Sequence, residues 1–265
     1  MFGVVPKVLW GNAVSFDEQN RIFLATRSLL AVNRRERRVV LVDTGCGTKW
    51  KPGAAERFAI VHHPHAISTA LAAFALSALD VTDVVVTHLH FDHNGGLTEW
   101  KREPGGPTGL AYPRARHWIH RKQWDHAQRP HAKDRASYLR EDFEALASAG
   151  VLQMVEGDQP PPPMEGVEWF LSHGHTPYQL FPLFRAGDDQ MIFVGDMVPT
   201  VAHLRPTWVM AYDMVPTRTI EEKEIMYRRC LDEGLRIALP HDPNVAAVRI
   251  DGTIDRPIVA NRIDA

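Results

Sequence analysis

The chain has 265 residues, 45% of them hydrophobic and 23% charged, with a formal net charge of −2. That length can bury a sizeable core without cross-links, and the near-neutral charge excludes the footprint of a nucleic-acid binder or a membrane-surface protein. Two cysteines, Cys46 and Cys230, make no disulfide framework; no stretch reaches the 18 or so apolar residues of a membrane span, and residues 1–10 lack the features of a signal peptide, so a cytoplasmic location and a small-molecule partner are expected.

In chain order, residues 1–20 read as exposed loops able to pair subunits, which leaves a homodimer open. Ile22 to Val32 and Arg38 to Asp43 predict two strands around the polar turn Asn33–Arg37. The second strand ends in Asp43-Thr44-Gly45-Cys46-Gly47, whose glycines suit a tight turn. His62, His63 and His65, with Pro64 among them, read as surface residues in a loop. Ile67 to Leu79 predicts a helix. Val81 to Thr87 is a β-branched run fit for a strand buried on both faces. Residues 100–115 read as loop, and His117 to Gln128 and Ala136 to Ala149 as helices, the second stopped by Gly150. These helices form either a cap over a site, at about 101–165, or ordinary packing on a sheet edge. Pro160 to Pro163 predicts a stiff connector. Strands return at Glu168 to Leu171, Leu180 to Arg185, Gln190 to Val194 and Arg236 to Leu239. Ile220 to Glu233 predicts a helix, with glutamates in its first turns and Gly234 as its stop.

The chemistry gathers where buried strands end. The Val81–Thr87 strand runs directly into His88-Leu89-His90-Phe91-Asp92-His93. Neutral imidazole and carboxylate are ligands for zinc and related transition metals, and a turn this tight lets four such groups converge. Gly95 and Gly96 allow close backbone passage. Four ligands do not complete two metal shells, and three further candidates also follow strands: His175 in Gly-His-Thr-Pro, Asp196 in Phe-Val-Gly-Asp, and His241 in Leu-Pro-His-Asp-Pro.

In this order the set resembles the metallo-β-lactamase-fold hydrolases, with their HxHxDH motif, later His, bridging Asp and final His. The likeness runs from Val39–Gly45 to His241. It implies an α/β fold, a four-layer αββα sandwich with a partly helical insertion, as one domain over residues 1–265. It also implies two divalent metal ions, zinc first, with manganese, iron or cobalt open. One would be held by His88, His90 and His175, the other by Asp92, His93 and His241, with Asp196 bridging both. Asp43 would steady the ligand loop; read from its residues alone, it also suits a turn cap before Thr44-Gly45. Two cations about 3.5–4 Å apart share a water and bring its pKa from about 16 toward neutrality, giving a bridging hydroxide that attacks a carbonyl carbon or a phosphorus. Asp92 would orient it as the catalytic carboxylate. No Gly-x-Ser-x-Gly elbow competes with this chemistry.

Within the superfamily the chain is most similar to the lactonase and organophosphate-hydrolase branch. Asp43–Gly47 followed by Lys49-Trp50, Gly195-Asp196-Met197-Val198-Pro199, and the stretch from Tyr212-Asp213 to Glu224 carry that likeness. The implied reaction is opening of a lactone or cleavage of a related ester. Pro199 stands where acyl-homoserine lactonases carry a Tyr, and Tyr178 follows Gly-His-Thr-Pro where they carry Gly; Tyr178 or Tyr212 is the candidate substitute. Phe91, Trp208, Met210 and Tyr212 could line a substrate pocket or pack locally. Two other enzymes share the HxHxDH frame: a mononuclear iron persulfide dioxygenase and a glyoxalase II-like thioester hydrolase.

Overall fold

The computed structural model describes every residue except 52, 62, 102, 103, 159, 160, 162, 163 and 188. His62 and the Pro160–Pro163 connector, apart from Pro161, fall outside the described residues. The helices in chain order are α1 (Lys7–Trp10), α2 (Ala54–Phe58), α3 (Ala66–Ala72), α4 (Phe91–Asn94), α5 (Arg121–Gln128), α6 (Arg140–Ser148) and α7 (Pro216–Glu233). The strands are β1 (Leu29–Asn33), β2 (Arg38–Val42), β3 (Asp83–Val85), β4 (Thr98–Trp100), β5 (Thr108–Leu110), β6 (Arg116–His120) and β7 (Leu152–Val155) in the first half of the chain. The second half adds β8 (Val167–Ser172), β9 (Gln179–Ala186), β10 (Asp189–Phe193), β11 (Arg236–Ala238), β12 (Val245–Thr253) and β13 (Arg256–Asp264). The chain forms two compact units, Ser28–Gly157 and Met1–Arg27 with Asp158–Ala265. Among the described residues, no helix is long and apolar enough to cross a membrane.

The Ser28–Gly157 unit is built on a sheet in the order β1-β2-β3-β6-β7. β1 pairs antiparallel to β2, and every pairing from β2 onward is parallel. Parallel strands share their ends, so Asp43 after β2 and Thr87-His88 after β3 leave the sheet at one edge, the edge where α/β sheets place ligands. Arg38, Asp83 and Arg116 begin β2, β3 and β6 at the opposite edge. Val39, Leu41, Val84, Val86, Leu89 and Ile119 are buried with Phe143 and Leu146 of α6, which makes the sheet interior and α6 one core.

The other unit carries a six-stranded sheet in the order β13-β12-β11-β10-β9-β8, antiparallel except at β10/β11. Helix α7 covers it. Pro216 opens the helix, where a missing N–H costs nothing, and Gly234 closes it at φ +68°. Met226, Tyr227 and Cys230 of α7 pack with Phe181, Leu183, Ile192, Val194 and Ile237 of the sheet. Burial pushes the Cys230 thiol up to about 12, so it is an inert core group.

Several expectations are corrected. Ile22 to Val32 is a strand only from Leu29. Upstream, Ala25 N–H donates to His241 O (3.0 Å) and Arg27 N–H to Pro240 O (2.9 Å), which uses that segment elsewhere. His117–His120, expected as helix, is strand β6, paired on both sides and buried. The helix expected from Ile67 ends at Ala72, and a turn with Ala75 at φ +57° precedes a 3₁₀ turn at Ala78–Asp80. The segment 100–115 contains β5, and β7, β12 and β13 were not foreseen.

Lys223 of α7 is fully buried and donates from Nζ to the carbonyls of His203 (2.9 Å) and Trp208 (2.7 Å). Desolvation lowers its ammonium from 10.5 to about 7, with Asp213 opposing the shift. The unfolded chain therefore holds a proton that the native state releases between pH 7 and 10.5. Native stability from this group is present above the unfolded pKa and is lost as pH falls through 7. We expect the difference in unfolding free energy between wild type and Lys223→Met to move toward wild type by about 4–5 kcal/mol from pH 7 to 10.5. Chemical denaturation at the two pH values measures it, and a pH-independent difference would show that Lys223 does not titrate in this way.

Candidate metal centre

In the Ser28–Gly157 unit the motif turn is held from two sides. Residues 44–47 and 94–96 cross backbone to backbone: Thr44 N–H donates to His93 O at 2.7 Å, and Gly45 bridges Asn94. A Cβ on Gly95 would stand 2.2 Å from Cys46 O, and one on Gly96 would stand 2.4 Å from Thr44 O, so both positions require glycine. On the other side, buried Lys49 pairs with Asp142 of α6 (2.9 Å) and donates to the carbonyls of Gly95 and Thr98 (2.8 Å). Burial lifts the Asp142 carboxyl to about 6 against the pull of Lys49. Tyr138 meets the His90 ring edge-on at 4.7 Å and donates to Gln123 Oε1 (3.3 Å), which lies 3.5 Å from Leu89 N. Segment 117–149 thus buttresses the ligand turn.

The four motif residues come together. His88 and His90 have ligand atoms within 4.8 Å of each other, as do Asp92 and His93. The His88 ring lies 4.5 Å from that of His90 and 4.2 Å from that of His93. Three of the four are buried, while the Asp92 side chain is 26% exposed. Asp43, in the left-handed region at φ +54°, explains the orientation. Its Oδ1 accepts from Thr87 N–H (2.8 Å), and its Oδ2 accepts from the Thr87 hydroxyl (2.8 Å) and from His93 Nδ1 (2.7 Å). The Thr87 proton is committed to Asp43, so Thr87 Oγ1 accepts from His88 Nδ1 at 3.0 Å. Both imidazoles then carry their proton on Nδ1 and aim a lone pair through Nε2.

The other unit repeats this logic. His175 Nδ1 donates to Asp213 Oδ1 (2.9 Å), and Asp213 Oδ2 accepts from Thr219 Oγ1 (3.0 Å) and Met210 N–H (3.3 Å). His241 Nδ1 donates to Ala25 O at 2.6 Å. The two remaining Nε2 atoms face one carboxylate: His175 Nε2 is 3.1 Å from Asp196 Oδ2, and His241 Nε2 is 2.8 Å from Asp196 Oδ1. With Nδ1 protonated and the rings neutral, each contact sets acceptor against acceptor, an arrangement that a cation between them relieves. Two ligand atoms of a tetrahedral zinc lie about 3.3 Å apart at ordinary Zn–N and Zn–O lengths. The donor set and its spacing fit a divalent metal ion.

Sequence reasoning missed several supporting residues. Asp213 stands out in the sequence only through its place in a resemblance. Glu222, expected to favour the helix dipole, is buried and accepts from Ser172 Oγ (2.7 Å), His173 N–H (3.0 Å), Gly174 N–H (3.3 Å) and Arg218 Nε (2.8 Å). It fixes the loop that delivers His175. Among the expected pocket residues, Trp208 and Met210 are buried. Trp208 packs edge-on to Phe2 at 5.7 Å and under Arg205 at 4.7 Å. These contacts account for its burial. Tyr212 is exposed, and Tyr178 stacks edge-on to His173 at 4.5 Å. Phe91 meets Trp50 (5.3 Å) and Phe58 (5.0 Å) in a half-exposed aromatic triad beside the ligand turn.

The sequence profile of the metallo-beta-lactamase superfamily matches residues 23–244. The chain belongs to this superfamily and has its fold. It is a metal-dependent hydrolase of that family, similar over its whole length to a probable metal-dependent hydrolase from Staphylococcus aureus. That similarity is 27% identity and a TM-score of 0.88, covering 100% of this chain and 91% of the other. AidC, a dizinc quorum-quenching lactonase, shares the fold at 19% identity and a TM-score of 0.68, over 90% of this chain and 80% of its own. The hydrolase AbOPH of the beta lactamase superfamily shares it at 19% identity and a TM-score of 0.72, over 96% and 85%. A search of the curated proteins returns no match.

Carboxylates that orient metal-binding imidazoles typically change metal affinity 10–100-fold when altered. Asp43→Asn and Asp213→Asn should each raise the dissociation constant for zinc by roughly that factor, measured by competition with a chromophoric chelator. Wild-type affinity in both variants would mean that these carboxylates do not steady the rings.

Proposed function

We propose that this chain opens a lactone or cleaves a related ester with two divalent metal ions, zinc first. His88, His90 and His175 would hold one ion, Asp92, His93 and His241 the other, and Asp196 would bridge them. The observation that carries this reading is the Asp196 carboxylate facing two imidazole nitrogens, one per oxygen, at 3.1 and 2.8 Å. When bound, such a pair supplies Lewis acidity and a water acidified toward neutrality. The dizinc lactonase among the structural relatives supports the metal count and the substrate class.

The chain's own residues supply the rest. Asp43 and Asp213 hold the imidazole protons on Nδ1 at His93 and His175. Asp92, the most solvent-reaching carboxylate of the ligand turn, takes the proton of the attacking water and returns it to the leaving oxygen. The Trp50–Phe58–Phe91 triad offers an apolar wall for the acyl or aryl part of the substrate. Acyl-homoserine lactones are not singled out, because Pro199 supplies no hydroxyl at the lactonase Tyr position.

Metal quantification with a screen of lactones, aryl esters and phosphotriesters tests the reading. Two ions per chain and lactone or ester turnover, both lost in His88→Ala, are expected. One iron per chain with oxygenation of a persulfide would replace the proposal with the dioxygenase reading. Asp92→Asn at full metal loading should lose turnover and change the pH–rate profile. An unchanged profile with near-normal kcat would remove the proton role of Asp92.

A further inference from the structure

The strand-entry edge of the Ser28–Gly157 sheet carries a feature that the hydrolytic reading does not use. A cleft of about 290 Å³ is lined by Val32, Asn33, Arg34, Arg37, Arg38, Val39, Phe74, Leu76 and Asp80. Its charged lining is three guanidinium groups and one carboxylate, in a chain whose net charge is −2. Asp80 is already engaged. It accepts from Ser77 N–H (2.8 Å) and Ser77 Oγ (2.7 Å) in a capping box, and these bonds hold its carboxyl below the usual range. Arg38 is engaged as well, paired at 2.6 Å with buried Asp83, which Arg116 also contacts. Arg34 and Arg37 are exposed, and among the described residues neither has an ion pair or a side-chain hydrogen bond.

Arg37 sits at φ +54°, in the last position of the turn between β1 and β2. Glycine or asparagine adopts this backbone more cheaply, and a longer side chain there costs about 1–2 kcal/mol. The turn therefore keeps an unpaired guanidinium at a strained position on the rim of a concavity. Below it, Val32, Val39, Phe74 and Leu76 provide an apolar floor, and Phe74 is 49% exposed.

We propose that this cleft binds a small organic anion: a carboxylate on a short apolar body, with the oxyanion on Arg34 and Arg37 and the body on Phe74 and Leu76. Guanidinium pairs carboxylate oxygens two at a time, and that match favours a carboxylate over a bare halide. The volume lies at the small end of ligand sites, which run from about 300 to 1,000 Å³, and this limits the occupant to a small molecule. The site is separate from the ligand turn. β2 enters the sheet at Arg38 and leaves it at Val42, about 13 Å away at the usual rise per residue.

The test is calorimetric titration of the metal-loaded protein with octanoate, with its neutral counterpart octanamide, and with inorganic phosphate. Wild type should bind octanoate, with octanamide and phosphate each at least tenfold weaker. The double variant Arg34→Gln/Arg37→Gln should weaken octanoate at least tenfold while keeping wild-type metal content and turnover. Phe74→Ser should weaken octanoate several-fold and leave phosphate unchanged. Octanoate affinity that survives the double variant would place the anion elsewhere, including on the metals, and overturn the proposal. Failure of wild type to bind octanoate would overturn it too. Phosphate binding as tight as octanoate would overturn the assigned ligand class.

Discussion

An imidazole lends a lone pair to a cation only through the nitrogen that has lost its proton. Everything distinctive about this chain serves that constraint. Asp43, Thr87, Asp213 and the carbonyl of Ala25 each occupy the Nδ1 side of a histidine and so choose which nitrogen is left to bind. These partners come from a strand end, a second strand end, a loop before a long helix and an N-terminal segment. Each is fixed by further bonds, and the rings inherit that rigidity.

The supporting shell differs between the two units. In Ser28–Gly157 it is mostly backbone and buried charge: crossing loops without side chains between them, and Lys49 anchoring the turn to α6 through Asp142. In the other unit it hangs on α7. Thr219 supports Asp213, Glu222 supports the loop before His175, and Lys223 gathers the carbonyls of the segment that follows Asp196. Three of the first eight residues of one helix thus hold three different loops.

Much of this was legible in the sequence, and the failures share a cause. The HxHxDH turn, its glycines and the later His175, Asp196 and His241 stand out because imidazoles and carboxylates just after apolar runs sit close to the core, where such groups are costly unless they are paired or bind a metal. Strand β6 was misread because Arg116-His117-Trp118-Ile119-His120 is buried on both faces, and periodicity does not separate such a strand from a buried helix. Hairpin β12–β13 was missed because its outer strand is mostly exposed and carries charges, and because its two-residue turn, Ile254-Asp255 between the paired Thr253 and Arg256, is not one of the usual hairpin pairs. Asp213 and Glu222 were invisible as partners because the bonds they make span 38 and about 50 residues.

The backbone crossing of residues 44–47 and 94–96 also constrains how this protein can change. Because main chain meets main chain there, no neighbouring side chain can shrink to make room for a bulkier one. A substitution at Gly95 or Gly96 has no compensating partner anywhere in the sequence. Divergence is thereby channelled away from the crossing and toward half-exposed or exposed side chains such as Phe91 and Phe58, whereas Trp50 is tied to the crossing through its indole N–H, which donates to Cys46 O at 3.0 Å.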